Sequence, residues 1–281
     1  MLHRLRSVRG RFREGYYDFL KPRHASRLAY LYALDRVGQR RYRLLSEDEL
    51  RATRSSDTAF VFGSGRSLVE IEPDEWERIG TCNTISLREF PRQRWVRADY
   101  HVTSEVDFLD EYAQRIRENP LYEDTVFVVQ GGFQAERGNE LVGRALLPPG
   151  ASVFRFRRTS RGAGAPPSRR FADGLVHGYS SIFDATNLAL LLGFRRIVLA
   201  GVDLYNKEYF WLPPGKKRDY ERAGIAADAP FAAATPIVEM LGDWHDILAR
   251  EGVRLCVQNP KSLLTRRLPV FSWDGALRRG F

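Results

Sequence analysis

The apolar run Ala59-Phe60-Val61-Phe62 passes directly into Gly63-Ser64-Gly65. A strand ending in such a turn leaves backbone N–H groups at its carboxyl end, with no Cβ to keep phosphate oxygens away. The same residues serve equally for a tight turn that holds nothing. The third glycine of a dinucleotide fingerprint and the Gly-Lys-Ser/Thr of a P-loop are both missing. A second candidate group is Ser180-Ser181, just ahead of the helix-like apolar stretch Phe183 to Leu192. Their hydroxyls are expected to cap that helix, and a ligand carboxylate or phosphate would be favoured at the same end. A third is Asn259-Pro260-Lys261-Ser262, which follows the strand-like GVRLCVQ. Cys82 and Cys256 have neither metal-ligand spacing nor a disulfide framework, so no metal site and a reducing compartment are expected.

The elements that must position these residues alternate. Strand-like runs occur at TAFVFG, GTCNTIS, RADYHVTS, TVFVVQ, SVFRFR, RRIVLAGVDLY and GVRLCVQ. Helical stretches lie between them at Glu70 to Ile79, Phe108 to Glu118 and Phe183 to Leu192, with a further helix starting near Ile237. This alternation predicts an α/β fold: a mostly parallel, Rossmann-like sheet with helices on both faces. Two segments interrupt it. RRTSRGAGAPPSRR, Arg157 to Arg170, reads as a mobile surface loop. Leu212 to Pro236, rich in proline and alanine with a basic cluster at Lys216-Lys217-Arg218, reads as a lid or as disorder.

Within the 281 residues, the formal charge of +9 is concentrated at the start. Met1 to Arg54 carries 14 Lys+Arg against 6 Asp+Glu, an excess of eight. Residues 1–55 are therefore read as a basic, helical N-terminal arm, and residues 56–281 as the main domain with a lid at about 206–236. The arm stretch LRSVRGRFREGYYDFLK mixes arginines with Leu5, Val8, Phe12, Tyr16, Tyr17, Phe19 and Leu20. Such a helix suits an anionic membrane surface, or packs on the main domain or on another copy of the chain in a homo-oligomer. There is no zinc-finger spacing and no aromatic-basic RNA-binding pattern, so no nucleic-acid partner is expected. No transmembrane span or secretory signal is read, and the expected location is cytoplasmic, peripheral to the inner face of the membrane.

Taken in order, these segments resemble the bacterial sialyltransferases of glycosyltransferase family 42 and their relatives. The likeness rests on Gly63-Ser64-Gly65-Arg66-Ser67-Leu68, on Cys82-Asn83 at the expected end of the second strand, on Ser181 through Tyr205, and on Pro260 to Leu264. It covers roughly Thr58 to Leu264, with a poorly matched middle. The resemblance implies a Rossmann-like domain with a smaller lid, a donor that is a CMP-activated sialic acid or related acid sugar, and a glycan or glycolipid acceptor. It further implies inversion at the anomeric carbon with no essential metal and no other cofactor, and the sequence contains no Asp-x-Asp. By the same match, Tyr205 and Tyr209 would hydrogen-bond the departing phosphate, Asn83 and the backbone around Ser64-Gly65 would contact the nucleotide, and Ser181 would hold the donor carboxylate or phosphate. Active members of the family carry a lid histidine as general base, whereas no histidine occurs here between Leu212 and Trp244. His177 is the first candidate for a substitute base and His101 the second; each is also read as an ordinary structural histidine. His245 is read as structural. The competing readings are a catalytically altered nucleotide-sugar-binding protein and a transferase of the same fold with a different nucleotide donor.

Overall fold

The computed structural model describes residues 24–103, 106, 108–159, 164–215 and 234–274. In chain order these form α1 (24–38), β1 (Arg43–Leu44), α2 (Glu47–Ala52), β2 (Thr58–Phe62), α3 (Pro73–Ile79), β3 (Asn83–Leu87), β4 (Tyr100–Thr103), α4 (Leu109–Arg117), β5 (Val126–Gln130), α5 (Glu136–Gly143), β6 (Ser152–Phe156), β7 (Arg158–Thr159), β8 (Leu175–Val176), α6 (Ser181–Leu191), β9 (Arg196–Ala200), α7 (Ala234–Ala249) and β10 (Arg254–Val257).

Eight strands make one sheet in the order β1-β6-β5-β4-β3-β2-β9-β10, and every pairing in it is parallel. Strands β2, β5 and β9 read as largely apolar runs because both faces are covered. In β2, Ala59 and Val61 enter one core with Ile197 and Leu199 of β9, Leu188 of α6 and Trp244 of α7. Phe60 and Phe62 point the other way, into a second core with Val198 and Ala200, Trp76 of α3, Tyr112 of α4 and Leu141 of α5. The two-residue period of a strand produces this division. The fold is α/β and Rossmann-like.

The topology fixes where a ligand crevice lies. From β2 the chain steps through β3, β4, β5 and β6 to one side, then returns to place β9 on the other side of β2. The order therefore reverses between β2 and β9, and open α/β sheets bind ligands at the carboxyl ends of the strands flanking such a point. Helix α6 ends just before β9 and must run antiparallel to it, so the α6 amino end stands over this same edge.

Two expectations change. The described part of the 157–170 segment is a strap anchored in the interior. Trp244 Nε1 donates to the Ala165 carbonyl at 2.8 Å. Asn187 of α6 accepts from Ser168 N at 3.1 Å and from Val176 N at 3.0 Å. The second change concerns the arm. Within residues 1–55, β1 pairs with β6 in register Arg43↔Ser152, and Leu28, Leu31, Tyr42, Leu45 and Leu50 are buried. Helix α1 lies so close to α5 that a Cβ on Gly143 would meet Leu34 Cγ at 2.7 Å. From α1 onward that segment is built into the domain. The basic-aromatic stretch 5–21 lies outside the described residues, as do 216–233 of the lid.

Candidate functional site at the carboxyl edge of the sheet

The glycine turn extends the contact between β2 and β9 beyond the strands. Gly63 N donates to the Ala200 carbonyl and Gly65 N to the Gly201 carbonyl, each at 2.7 Å. A Cβ on Gly63 would stand 2.3 Å from Gly201 O, and one on Gly65 would stand 2.3 Å from Asp203 Oδ2. These two glycines are thus required by the close approach of two chain segments, and their N–H groups are already bonded. This corrects the expectation that they cradle a phosphate. Ser64, half-buried between them, accepts from Phe210 N at 3.2 Å through its carbonyl.

Asp203, buried just past β9, ties the edge together. Its carboxylate accepts from Ser67 N at 3.0 Å, Ser67 Oγ at 2.5 Å and Asn259 Nδ2 at 2.9 Å. Ser262 Oγ donates to the Val202 carbonyl at 2.6 Å. The next residue, Leu204, adopts a left-handed φ of 64°, uncommon for a residue with a branched side chain. The chain then folds back over the turn. Tyr209 bridges Gly65 in antiparallel fashion, and the Tyr209 ring stacks on Trp211 at 4.7 Å between centroids. Tyr205 and Tyr209 therefore share the edge with the turn, both half-buried. Burial raises the Tyr205 hydroxyl above the ordinary tyrosine value, and the Asp203 carboxylate adds to the rise; the Asn259 side chain, hydrogen-bonded to Tyr205, opposes it. A hydroxyl held in this way keeps its proton and serves as a hydrogen-bond donor.

The amino end of α6 brings a second set. Ser180 is the N-cap residue but its side chain makes no capping bond, contrary to expectation, while Ser181 is buried at the first helical position. His177, in the turn before α6, donates from Nδ1 to Asp184 Oδ2 at 2.8 Å. Arg158 Nη2 donates to the same oxygen at 3.0 Å. Asp184 is fully buried, and burial raises its carboxyl above the usual range even though His177 and Arg158 both pull it down. A carboxylate that accepts from Nδ1 fixes the tautomer in which Nε2 is the basic nitrogen.

Two predicted site residues lie elsewhere. Asn83 is the first residue of β3, opposite Ala59 near the start of β2. At about 3.3 Å per residue, that is roughly 13 Å along the strands from Gly63. Its side chain accepts from Ser55 N and Ser56 N at 2.9 Å each, which anchors the turn into β2. The Cys82-Asn83 pair therefore begins its strand instead of ending it and sits at the amino edge. His101 is fully buried within β4, bonded through Nδ1 to Ser86 Oγ at 2.7 Å and through Nε2 to the Tyr112 hydroxyl. Burial pushes it down to about 3, and it has no access to an acceptor. His245 donates to the Leu255 carbonyl at 3.0 Å and is structural.

Sequence reasoning missed Asp184 and Asp203, and singled out Asn259 without its bond to Asp203. Asp184 follows His177 by seven residues, and Asp203 sits in the Gly201-Val202-Asp203 run where β9 ends. Among the described residues, no three His, Cys, Asp or Glu side chains converge as a metal site, and no helix is long and apolar enough to cross a membrane.

No protein-family profile matches the chain, and no curated protein matches it significantly. Several solved structures are similar to it, among them two glycosyltransferases. One is the MAf glycosyltransferase from Magnetospirillum magneticum AMB-1, at 18% identity and a TM-score of 0.46 over 73% of this chain and 32% of that one. The other is the monofunctional α-2,3-sialyltransferase Cst-I from Campylobacter jejuni, at 14% identity and a TM-score of 0.46 over 77% of this chain and 82% of that one. The matched region thus spans about a third of the Magnetospirillum protein.

Proposed function

We propose that this chain is a glycosyltransferase that moves a sialic-acid-like sugar from a CMP-activated donor to a hydroxyl of a surface glycan or glycolipid, with inversion and without an essential metal. The observation that carries the reading is the shared carboxyl edge. Tyr205 and Tyr209 fold back over the β2–β9 switch point, and the His177–Asp184 pair stands at the α6 amino end over that edge. The resemblance of Gly63 to Leu68, Ser181 to Tyr205 and Pro260 to Leu264 to the family 42 enzymes supports it as well.

In this reading the donor lies across the switch point with its phosphate toward Tyr205 and Tyr209. Ser64 and Ser181 contact the nucleotide and the donor's anionic groups. The acceptor hydroxyl attacks the anomeric carbon as the bond to the phosphate oxygen breaks. His177 takes the hydroxyl proton, and the two tyrosines donate hydrogen bonds to the phosphate as its charge grows. Asp184 holds the imidazole and stabilises its protonated form. His177 so placed replaces the missing lid histidine.

A thermal-shift panel of CMP, UMP, GMP and ATP tests the donor. A clear rise in Tm with CMP above the other three supports the reading. A preference for another nucleotide moves it to a transferase with a different donor. CMP binding with no transfer or hydrolysis of a CMP-sugar indicates a catalytically altered binder.

A further inference from the structure

Lys207 lies midway between Tyr205 and Tyr209, on the segment that folds back over the glycine turn. It is 95% buried, with a relative exposure of 5%. Among the described residues it makes no ion pair and no side-chain hydrogen bond. The carboxylate of Asp203, four residues earlier, is bonded to Ser67 and Asn259 instead. The fully enclosed polar atoms that lack a partner belong to Asp35, Glu140, Arg158, Ser168 and Asp184, not to Lys207. Its stem is therefore covered while its amine retains an opening.

A lysine amine offers three donors and no acceptor. Lysines this covered are normally paired with an opposite charge, whereas here the opening leaves the amine to water. An anionic ligand entering by that opening would meet a cation already in place. The position fits: two tyrosine hydroxyls flank Lys207 in sequence, and the segment sits at the switch point where ligands of such sheets bind.

We propose that Lys207 is an anion anchor of this crevice, pairing with a phosphate or carboxylate oxygen of the bound donor. The proposal deepens the transferase reading by adding a cationic group to the segment that carries the two tyrosines. It does not depend on the donor being CMP-activated. A phosphate leaving group gains negative charge as it departs. Tyrosine hydroxyls hydrogen-bond that charge without neutralising it, whereas an ammonium does both.

The test compares wild type with Lys207→Met and Lys207→Arg by calorimetry, using CMP, cytidine, inorganic phosphate and a free nine-carbon acid sugar as probes. Tm in the absence of ligand serves as the folding control. Removing an amine that makes no bond within the described protein should leave that Tm unchanged or raise it. Lys207→Met should weaken CMP binding by roughly 10–100-fold, the range expected for one charge-assisted contact, with cytidine unchanged and Lys207→Arg in between. Loss confined to CMP and phosphate identifies the phosphate as the partner, and loss confined to the acid sugar identifies the carboxylate. If wild type ignores CMP but shows Lys207-dependent binding of phosphate or acid sugar, the anchor stands and the CMP donor falls. If Lys207→Met binds every probe as wild type does, or if no probe shows Lys207-dependent binding, the anchor is overturned, whatever the fate of the transferase reading.

Discussion

Gly65→Ala should be far more disruptive than an alanine on a loop ordinarily is. The backbone itself is no obstacle, because φ −68° and ψ 155° suit any residue. The obstacle is steric: the new methyl would lie 2.3 Å from Asp203 Oδ2, 2.6 Å from its Cγ and 2.8 Å from Gly201 O. That is about 1 Å inside the ordinary contact range, which begins at 3.4 Å. Gly201 O is held by the Gly65 N–H at 2.7 Å, so the Asp203 side chain must move. Moving it stretches three hydrogen bonds, from Ser67 N, Ser67 Oγ and Asn259. Overpacking alone costs about 1–3 kcal/mol, and a single weakened bond to a charged group adds about 1.5–3 kcal/mol. We expect a loss of roughly 2.5–6 kcal/mol in urea unfolding, read as a lower midpoint at unchanged slope. The same substitution in an Asp203→Ser background should cost at least about 1 kcal/mol less, because contacting residues couple. A Gly65→Ala variant within about 0.5 kcal/mol of wild type, or one that costs the same in both backgrounds, would refute the packing account of the turn.

Three further outcomes are expected. His177→Ala should lower the rate of sugar transfer by about 10²–10⁴-fold while CMP affinity holds; Asp184→Asn should lower kcat and alter its pH profile, and unchanged transfer in His177→Ala removes it as the base. His101 is held near 3 when folded against 6.5 when exposed, so below about pH 6.5 only the unfolded chain takes up this proton and stability falls as the pH drops. The slope attributable to it approaches about 1.4 kcal/mol per pH unit, and His101→Gln should flatten the wild-type dependence between pH 6.5 and 4 in urea titrations; parallel curves would contradict it. A chain beginning at His24 loses seven Lys+Arg against two Asp+Glu. At about 1 kcal/mol per basic residue near an anionic surface, it should cease to sediment with anionic vesicles yet keep its Tm, whereas a chain beginning at Ser55, lacking β1 and the buried Leu28, Leu31 and Tyr42, should be strongly destabilised.

Strands such as β2, β5 and β9 were legible because each is a largely apolar run covered on both faces, and α6 because its last residues belong to the apolar run Leu188 to Leu192. What local pattern does not carry is adjacency. That β9 pairs with β2 across some 130 residues of chain, and so creates the switch point, follows from the whole sheet order. β1, with two residues, is too short for any period to show and was absorbed into the arm. Asn83 was misplaced because a residue beside a strand looks alike at either end, while only the carboxyl end opens on the crevice. The glycines of the turn were found, but their reason was not, since a Cβ clash with Asp203 involves a residue 138 positions away. Asp184 and Lys207 escaped for a related reason: a buried charge declares itself only through what surrounds it.

The most direct test of the central claim is the release of CMP from a CMP-activated acid sugar, followed with and without a chelator, in wild type, Tyr205→Phe and Tyr209→Phe. Both transfer and hydrolysis require the phosphate to leave, so loss of either hydroxyl should slow both reactions together by at least about 10-fold, the scale of one hydrogen bond to a developing charge. The account predicts release by wild type that the chelator does not abolish, and slower release by each variant. Folded wild-type protein that releases no CMP, or tyrosine variants that release it at the wild-type rate, would contradict it.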